Sequence, residues 1–308
     1  MNVSIIIVNY NTVNLLDNCL SSIYSQTKDI TFEIIVSDNG STDNSIKMIK
    51  EKYPKVIVIE NNENLGFGAA NNKGLAIAKG DYILYLNSDT ILLNNAIKYF
   101  FDYFEKNNKD NKLGILGSIL LDENFKPSYS YDNLPKFRDI EKELIKLFFI
   151  NIILSFSYLL HIPIEKLRSH MKKDVKVDYE KLKNVEFISG ADLFLKNTPL
   201  AKFDESFFLY YEDTKLNYDF QKKGYIRRII EGPKIQHLCG GSVGESYTIK
   251  RKASFSRIQY EISRVKWIKT LYPNDKFKLF LVRLQISVLW INPLLFSKTK
   301  NYFKAIWK

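Results

Sequence analysis

Four small oxygen-bearing side chains, Asn87, Ser88, Asp89 and Thr90, follow directly on the apolar run Tyr82–Leu86. That run stands behind the turn signal Gly80-Asp81 and reads as a strand. In a parallel α/β sheet, ligands collect outside the carboxyl ends of the strands. A carboxylate there can bind a hard cation such as Mg²⁺ or Mn²⁺, which in turn grips phosphate oxygens. The same residue types are favoured at helix N-caps, so this stretch alone leaves both readings open. Two more strand-like runs end in the same way. Val3–Val8 stops at Asn9, Tyr10 and Asn11, and Phe32–Val36 runs into Ser37-Asp38-Asn39-Gly40-Ser41-Thr42-Asp43. Core packing does not require that coincidence.

The elements that must position these residues alternate regularly. Val3–Val8 is a continuous β-branched run, the habit of a strand buried on both faces of a parallel sheet. Leu15, Leu16, Cys19, Leu20 and Ile23 then recur at helical spacing. Phe32–Val36 is the second strand, Ser45–Lys52 is helical, and Val56–Glu60 is the third strand. Leu65-Gly66-Phe67-Gly68 opens a small-residue helix over Ala69–Ala78, ahead of strand Tyr82–Leu86. This βαβαβαβ order implies an α/β fold with a parallel sheet and right-handed crossovers. Gly66-Phe67-Gly68 is not the dinucleotide fingerprint, because it does not join the first strand to the first helix. No GxxxxGK[ST] phosphate loop occurs. Both facts disfavour a nicotinamide enzyme and an NTPase.

The charge is lopsided. The chain of 308 residues carries a formal +11. Residues 1–100 hold 8 Lys and Arg against 10 Asp and Glu, whereas residues 251–308 hold 13 against 2. A basic tail rich in Phe, Leu, Ile and Trp favours an anionic membrane surface over nucleic acid. Two cysteines, Cys19 and Cys239, are too few for a disulfide framework and fit a reducing cytosol. The opening MNVSIIIVNYN has no basic n-region or small-residue cleavage site, so no signal peptide is expected.

The succession VNYN, SDNGSTD, NLGFGAANNKG and YLNSDT resembles the family-two glycosyltransferases of the GT-A fold, and within them the rhamnosyltransferase-like branch. Downstream, Phe187–Asp192 resembles the acceptor-side segment of that family. Phe203–Asp213 resembles its FDExFF…ED signature, and His237 stands where it has a late histidine. Each motif is weak, but their joint order over roughly residues 1–245 is specific. The resemblance implies that Asp38 reads the nucleotide base, with Asn9, Tyr10, Asn11 and Asn39 around it and Asn71 near the donor. It implies that Asn87, Ser88 and Asp89 stand for the metal-binding acidic triplet, with Asn87 where a first Asp often sits. Asp89 and His237 would then hold Mg²⁺ or Mn²⁺ together with the donor diphosphate.

The resemblance further implies inverting transfer with Asp213 as base, Glu212 beside it, and Gly190, Ala191 and Asp192 facing the acceptor. An acceptor hydroxyl is a poor nucleophile until a base removes its proton. The Glu212-Asp213 pair also suits the start of a helix over Asp213–Gln221. Lys215 stands where the family often has a further acidic residue. The expected donor is a nucleotide-diphosphate sugar, dTDP-rhamnose or a UDP-hexose. The expected acceptor is a growing or polyprenyl-linked surface glycan.

Two stretches do not read as sheet core. Leu144–Ile162 is long and apolar but is interrupted by Lys146, Asn151, Ser155 and Ser157, and it falls between Asp89 and Asp213. Phe277–Phe296 is interrupted by Lys278, Arg283 and Gln285 and broken at Pro293. Either would be an interfacial helix at the cytoplasmic face of a membrane, or an ordinary packing helix or dimer face. The expected organisation is a GT-A domain over 1–250, with a helical insertion at about 138–175, and a basic amphipathic helical tail over 251–308. The competing functional classes are a sugar nucleotidyltransferase, which would want a basic glycine-rich first loop, and a non-catalytic membrane or nucleic-acid binding protein.

Overall fold

The computed structural model describes residues 1–108, 112–159, 177–238, 254–290 and 302–307, and side chains at 151 and 153–159 are not described. Cys239, Gly240-Gly241, residues 160–162 and 291–296 of the two apolar stretches, and the flanking Lys166 and Arg168 lie outside them. The chain divides into two compact units, Met1–Leu134 with Val177–Gly244, and Pro135–Lys176 with Glu245–Lys308.

The first unit is built on a seven-stranded sheet. Its strands in chain order are β1 (Val3–Asn9), β2 (Phe32–Asp38), β3 (Ile57–Glu60), β4 (Tyr82–Leu86), β6 (Leu113–Gly117), β10 (Asp192–Lys196) and β11 (Ile226–Ile229). Their spatial order is β11-β6-β10-β4-β1-β2-β3. All neighbours are parallel except β10, which runs antiparallel between β4 and β6. Three short strands, β5 (Thr90–Leu92), β7 (Leu120–Leu121) and β12 (Ile235–His237), form a second sheet in the order β5-β12-β7. A third pairs β8 (Tyr131–Asp132) with β9 (Phe187–Ile188).

Strand alternation sorts the core into two layers, because successive side chains point to opposite faces. Val3, Ile5 and Ile7 pack with Leu16, Cys19, Leu20 and Ile23 of α1 (Val13–Gln26), Met48 and Ile49 of α2 (Ser45–Lys52), and Phe100 and Phe104 of α4 (Ala96–Asn107). Ile6, Ile35, Ile83 and Tyr85 pack on the other face with Leu216 and Phe220 of α6 (Glu212–Lys222), joined by Phe67 and Leu75 of α3 (Phe67–Leu75). The result is a mainly parallel sheet flanked by helices, the arrangement expected from the sequence.

Strand direction fixes where the polar residues fall. Asn9 pairs with Asp38 at the carboxyl ends of β1 and β2. Because β10 is antiparallel, its first residue, Asp192, pairs with Leu86 at the carboxyl end of β4. Asn9, Asp38, Asn87 and Asp192 therefore share one edge of the sheet.

The second unit is helical. It contains α5 (Phe137–Leu159), α7 (Phe255–Leu271), α8 (Lys276–Trp290) and a short helix at 302–307. Its centre holds a buried charge cluster, with the Arg264 guanidinium 2.9 Å from Glu261 and 2.6 Å from Glu143. Trp267 donates its indole N–H to the Pro135 carbonyl at 2.8 Å. Among the described residues no helix is long and apolar enough to cross a membrane.

Candidate active site

The Asn87–Thr90 turn is held from three sides. Asn87 N donates to the Ala191 carbonyl at 3.1 Å, tying the turn to the start of β10. The Asn87 carbonyl accepts from Thr90 N, from Thr90 Oγ1 at 2.7 Å and from Cys19 Sγ at 3.7 Å. Burial pushes the Cys19 thiol up to about 12, so it serves here as a small packing group beneath the turn. The Asp89 carbonyl accepts from Leu238 N at 2.9 Å, just past β12. β12 pairs His237 with Thr90, and the His237 ring thereby faces the turn. Its Nε2 lies 3.1 Å from Asp89 Oδ1 and 3.4 Å from Asn87 Nδ2.

Asp38 is buried, and both of its oxygens accept hydrogen bonds. Asn9 Nδ2 donates to Oδ2 at 2.8 Å and Ser41 N donates to Oδ1 at 2.8 Å. The second contact closes an Asx-type turn through the SDNGS loop. Asn9 Oδ1 accepts from Thr12 Oγ1 at 2.7 Å, and that hydroxyl lies 3.2 Å from Ser88 Oγ. A relay of short polar contacts thus runs from Asp38 through Asn9 and Thr12 to Ser88, next to Asp89. Tyr10 is about half exposed at this edge. Asn11 takes a left-handed φ of 54° and accepts from Thr42 N. Asn39 donates to Asn64 Oδ1 and to the Gly66 carbonyl. Asn71 is buried and donates to its own helix at the Phe67 carbonyl, 3.1 Å away.

Asp213 sits at the head of α6, a helix that begins one residue earlier than the sequence suggests. Gly190 N donates to Asp213 Oδ2 at 3.0 Å and Thr214 N to Oδ1 at 2.7 Å. A Cβ on Gly190 would lie 3.3 Å from that carboxylate, so a side chain there would crowd Asp213. Ala191, the next residue, holds the Asn87 turn. The acceptor-side segment therefore links Asp213 to the Asp89 turn across two adjacent residues. Asp192 points elsewhere: it is fully buried and accepts from Ser118 N and Oγ at 2.7 and 2.6 Å. Contact with an acceptor from this residue would need its side chain at the surface. Its place is beneath the site, and burial pushes its carboxyl up to about 7.

The Glu212-Asp213 pair is split by its surroundings. Burial, with the Asp213 charge alongside, raises the Glu212 carboxyl well above the usual range. Its Oε2 is buried without a hydrogen-bond partner, which suits a protonated carboxyl. Burial also raises Asp213, but the N–H groups of Gly190 and Thr214 pull it back. The N–H groups of Gly190 and Thr214 thus favour the negative charge on Asp213 over Glu212.

Asn72, which sequence reasoning passed over, clamps the Phe203–Asp213 segment. Asn72 Nδ2 donates to the Phe203 carbonyl and to Glu205 Oε1, both at 2.9 Å, while Phe203 N donates to Asn72 Oδ1 at 2.9 Å. Further along, Phe67 N donates to the Phe208 carbonyl. At Gly66, with φ of 85°, a Cβ would come within 2.1 Å of that oxygen, so only glycine allows the loop to close down there. Tyr210 and Tyr211 then both take φ of 67° immediately before Glu212. Two successive non-glycine residues in the left-handed region cost about 1–2 kcal/mol each. The Asn72 clamp ties the loop that carries them to α3 at Phe203 and Glu205. The only sequence signal for Asn72 was a second asparagine in a helix otherwise made of small residues.

The sequence model of the family described as Glycosyl transferase family 2 matches residues 4–160. The chain belongs to that family. A poly(ribitol-phosphate) beta-glucosyltransferase of Bacillus spizizenii is 39% identical over 124 residues, 39% of this chain and 20% of that protein. An uncharacterized glycosyltransferase of Methanocaldococcus jannaschii is 38% identical over 155 residues, 47% of this chain and 51% of that protein. The match thus spans from a fifth to a half of these relatives' length. Among solved structures, a mannosyltransferase of Pyrobaculum calidifontis, in complex with GDP-Man and Mn²⁺, aligns with TM-score 0.54 at 16% identity, covering 99% of this chain and 74% of that one. S. aureus TarS residues 1–349, in complex with UDP-GlcNAc, aligns with TM-score 0.52 at 13% identity, covering 99% and 82%. At such identities the likeness establishes the GT-A type of fold.

Proposed function

We propose that this chain transfers a sugar, with inversion, from a nucleotide-diphosphate donor to a hydroxyl of a growing or lipid-linked surface glycan. The transfer chemistry is assigned to residues 1–250 outside the insertion at 138–175. The observation that carries the reading is the short link from Asp213 through Gly190 and Ala191 to Asn87. It sets a carboxyl group held by two N–H donors next to the turn that bears Asp89 and His237.

Asp213 takes the proton of the acceptor hydroxyl as that oxygen attacks the anomeric carbon and the nucleoside diphosphate leaves. Glu212, carrying its own proton, leaves Asp213 the member of the pair that ionises, because a second negative charge alongside would raise the Asp213 carboxyl further. Asp38, Asn9 and Tyr10 frame the nucleotide end of the site.

Asp89 and His237 fit a divalent cation. Two donors about 2.1 Å from an octahedral ion and at right angles to each other stand about 3 Å apart, and Asp89 Oδ1 and His237 Nε2 are 3.1 Å apart. Among the described residues no group of three or more His, Cys, Asp and Glu side chains converges, so the donor's diphosphate and water would complete the shell. When bound, such an ion supplies compensation for the charge that builds on the leaving diphosphate. A nitrogen ligand inclines the site towards Mn²⁺ over Mg²⁺.

The glucosyl relative and the neighbours bound to GDP-Man and UDP-GlcNAc support a UDP- or GDP-linked hexose as donor. The dTDP-rhamnose alternative rests on motif resemblance. A thermal-shift panel of UDP, dTDP and GDP, each with and without Mn²⁺, tests the reading. Stabilisation by one nucleotide that requires the metal is the expected result. Indifference to all three in the presence of metal would contradict it.

A further inference from the structure

The helical unit shows solvent a kind of surface that the sheet unit does not. On α5, Ile145, Phe148, Phe149 and Ile152 recur at helical spacing and are exposed, with Phe149 at 58%, while Ile140 and Leu144 are buried. On α8, Phe277, Phe280, Leu284 and Val288 form a second exposed stripe, with Phe277 at 69%. The opposite side of α8 is buried through Val282, Ile286 and Leu289. Each helix therefore has two apolar faces, and only one of them is buried among the described residues. Exposed apolar stripes of this length mark interaction surfaces.

Charge indicates the occupant. The described residues of this unit, 135–159, 254–290 and 302–307, carry 12 Lys and Arg against 5 Asp and Glu. The described residues of the sheet unit, 1–108, 112–134 and 177–238, carry 21 against 25. Cations also flank the stripes: Lys142 and Lys146 on α5, and Lys276 and Arg283 on α8, while Lys278 is paired with Asp275 at 2.5 Å. The Arg283 guanidinium lies 5.9 Å from the ring centre of Trp307. Trp307 is 42% exposed, stacks edge-on against Phe280 and donates its N–H to Ser287 Oγ at 3.0 Å. An indole with its polar end satisfied and its ring half out, among lysines and phenylalanines, matches the chemistry of a lipid headgroup boundary.

We propose that the helical unit lies on an anionic lipid bilayer through the α5 and α8 stripes, without spanning it. The aromatic and aliphatic side chains enter the headgroup and acyl boundary, and the flanking lysines meet anionic headgroups. This proposal does not depend on the transfer chemistry.

The test is co-sedimentation of the full chain with vesicles at near-physiological salt. Mixed phosphatidylcholine–phosphatidylglycerol vesicles are compared with pure phosphatidylcholine. Binding to the mixed vesicles is expected, together with at least about a fivefold drop in vesicle affinity when Phe149→Ser, Phe277→Ser and Leu284→Ser are combined. These side chains are exposed, so circular dichroism of the triple variant should match the parent. A second variant, Lys146→Gln with Lys276→Gln, should weaken binding to mixed vesicles and leave the weak binding to pure phosphatidylcholine unchanged. Absence of parent binding to mixed vesicles would overturn the proposal. So would a triple variant that binds as the parent does, or a concentration-dependent dimer in light scattering that the triple variant abolishes.

Discussion

Buried charge is handled in opposite ways in the two units. In the helical unit, Arg264 is fully buried and is met by two carboxylates, Glu261 and Glu143. In the sheet unit, the buried or half-buried carboxylates at the strand edge are met by neutral donors. Asp38 has Asn9 and Ser41, Asp192 has Ser118, and Asp213 has the N–H groups of Gly190 and Thr214. No Lys or Arg ion pair is recorded at these three among the described residues. A salt bridge quenches the charge it stabilises. Neutral dipoles stabilise a carboxylate and leave its charge available to a cation or a proton. The first arrangement locks helices together, and the second keeps a site electronegative and reactive.

Four substitutions would break or sharpen that contrast. Arg264→Leu leaves the buried Glu261 with Arg257 alone and takes the partner from Glu143, and losing one partner of a buried pair costs up to about 3–5 kcal/mol. Chemical denaturation should show that loss in the transition that reports α7 and α8. Asp89→Ala should remove the metal-dependent part of donor affinity, on the order of 100-fold, seen as a nucleotide thermal shift that no longer responds to Mn²⁺. Asn72→Ala frees the Phe203–Tyr211 loop. It should lower kcat about 10- to 100-fold with donor KM little changed, because small misplacements of a base are costly. An equal rise in KM would instead make Asn72 a donor contact.

The smallest effect should be a gain. Glu212 is raised above its ordinary value in the folded state, so over that window the native protein holds a proton that the unfolded chain has released. Stability therefore falls as pH climbs from the ordinary Glu range to the raised value. Glu212→Gln removes that dependence. It should raise Tm by a few degrees at pH 8, about 1 kcal/mol, and by nothing measurable at pH 4. A destabilised Glu212→Gln at pH 8 would mean that the carboxylate is ionised and partnered.

Much of the sheet was legible because buried parallel strands write themselves as unbroken β-branched runs, as at Val3–Val8 and Phe32–Val36. The strand-end polar residues stood out for the same reason: Asn9, Asp38 and Asn87 each interrupt such a run. The antiparallel insertion of β10 between β4 and β6 was not legible, since a crossover leaves no trace in local periodicity. Strands as short as β5 and β12 carry too few residues for a period, yet their pairing is what brings His237 to Thr90 and so to Asp89. Tyr210 and Tyr211 hid because left-handed backbone is normally announced by glycine or asparagine. Asp192 shared its segment with Gly190 and Ala191, and nothing in sequence showed that its side chain turns inward to Ser118.

The central assignment of the proposed function is Asp213 as the base, the member of the Glu212–Asp213 pair whose charge is favoured by two N–H donors. The most direct test is to measure transfer and donor binding side by side in Asp213→Asn, which keeps the shape and loses the charge. Sugar transfer should fall by about 10²- to 10⁴-fold while the Mn²⁺-dependent nucleotide thermal shift stays within error of the parent. Turnover near the parent rate, with donor bound as before, would contradict it.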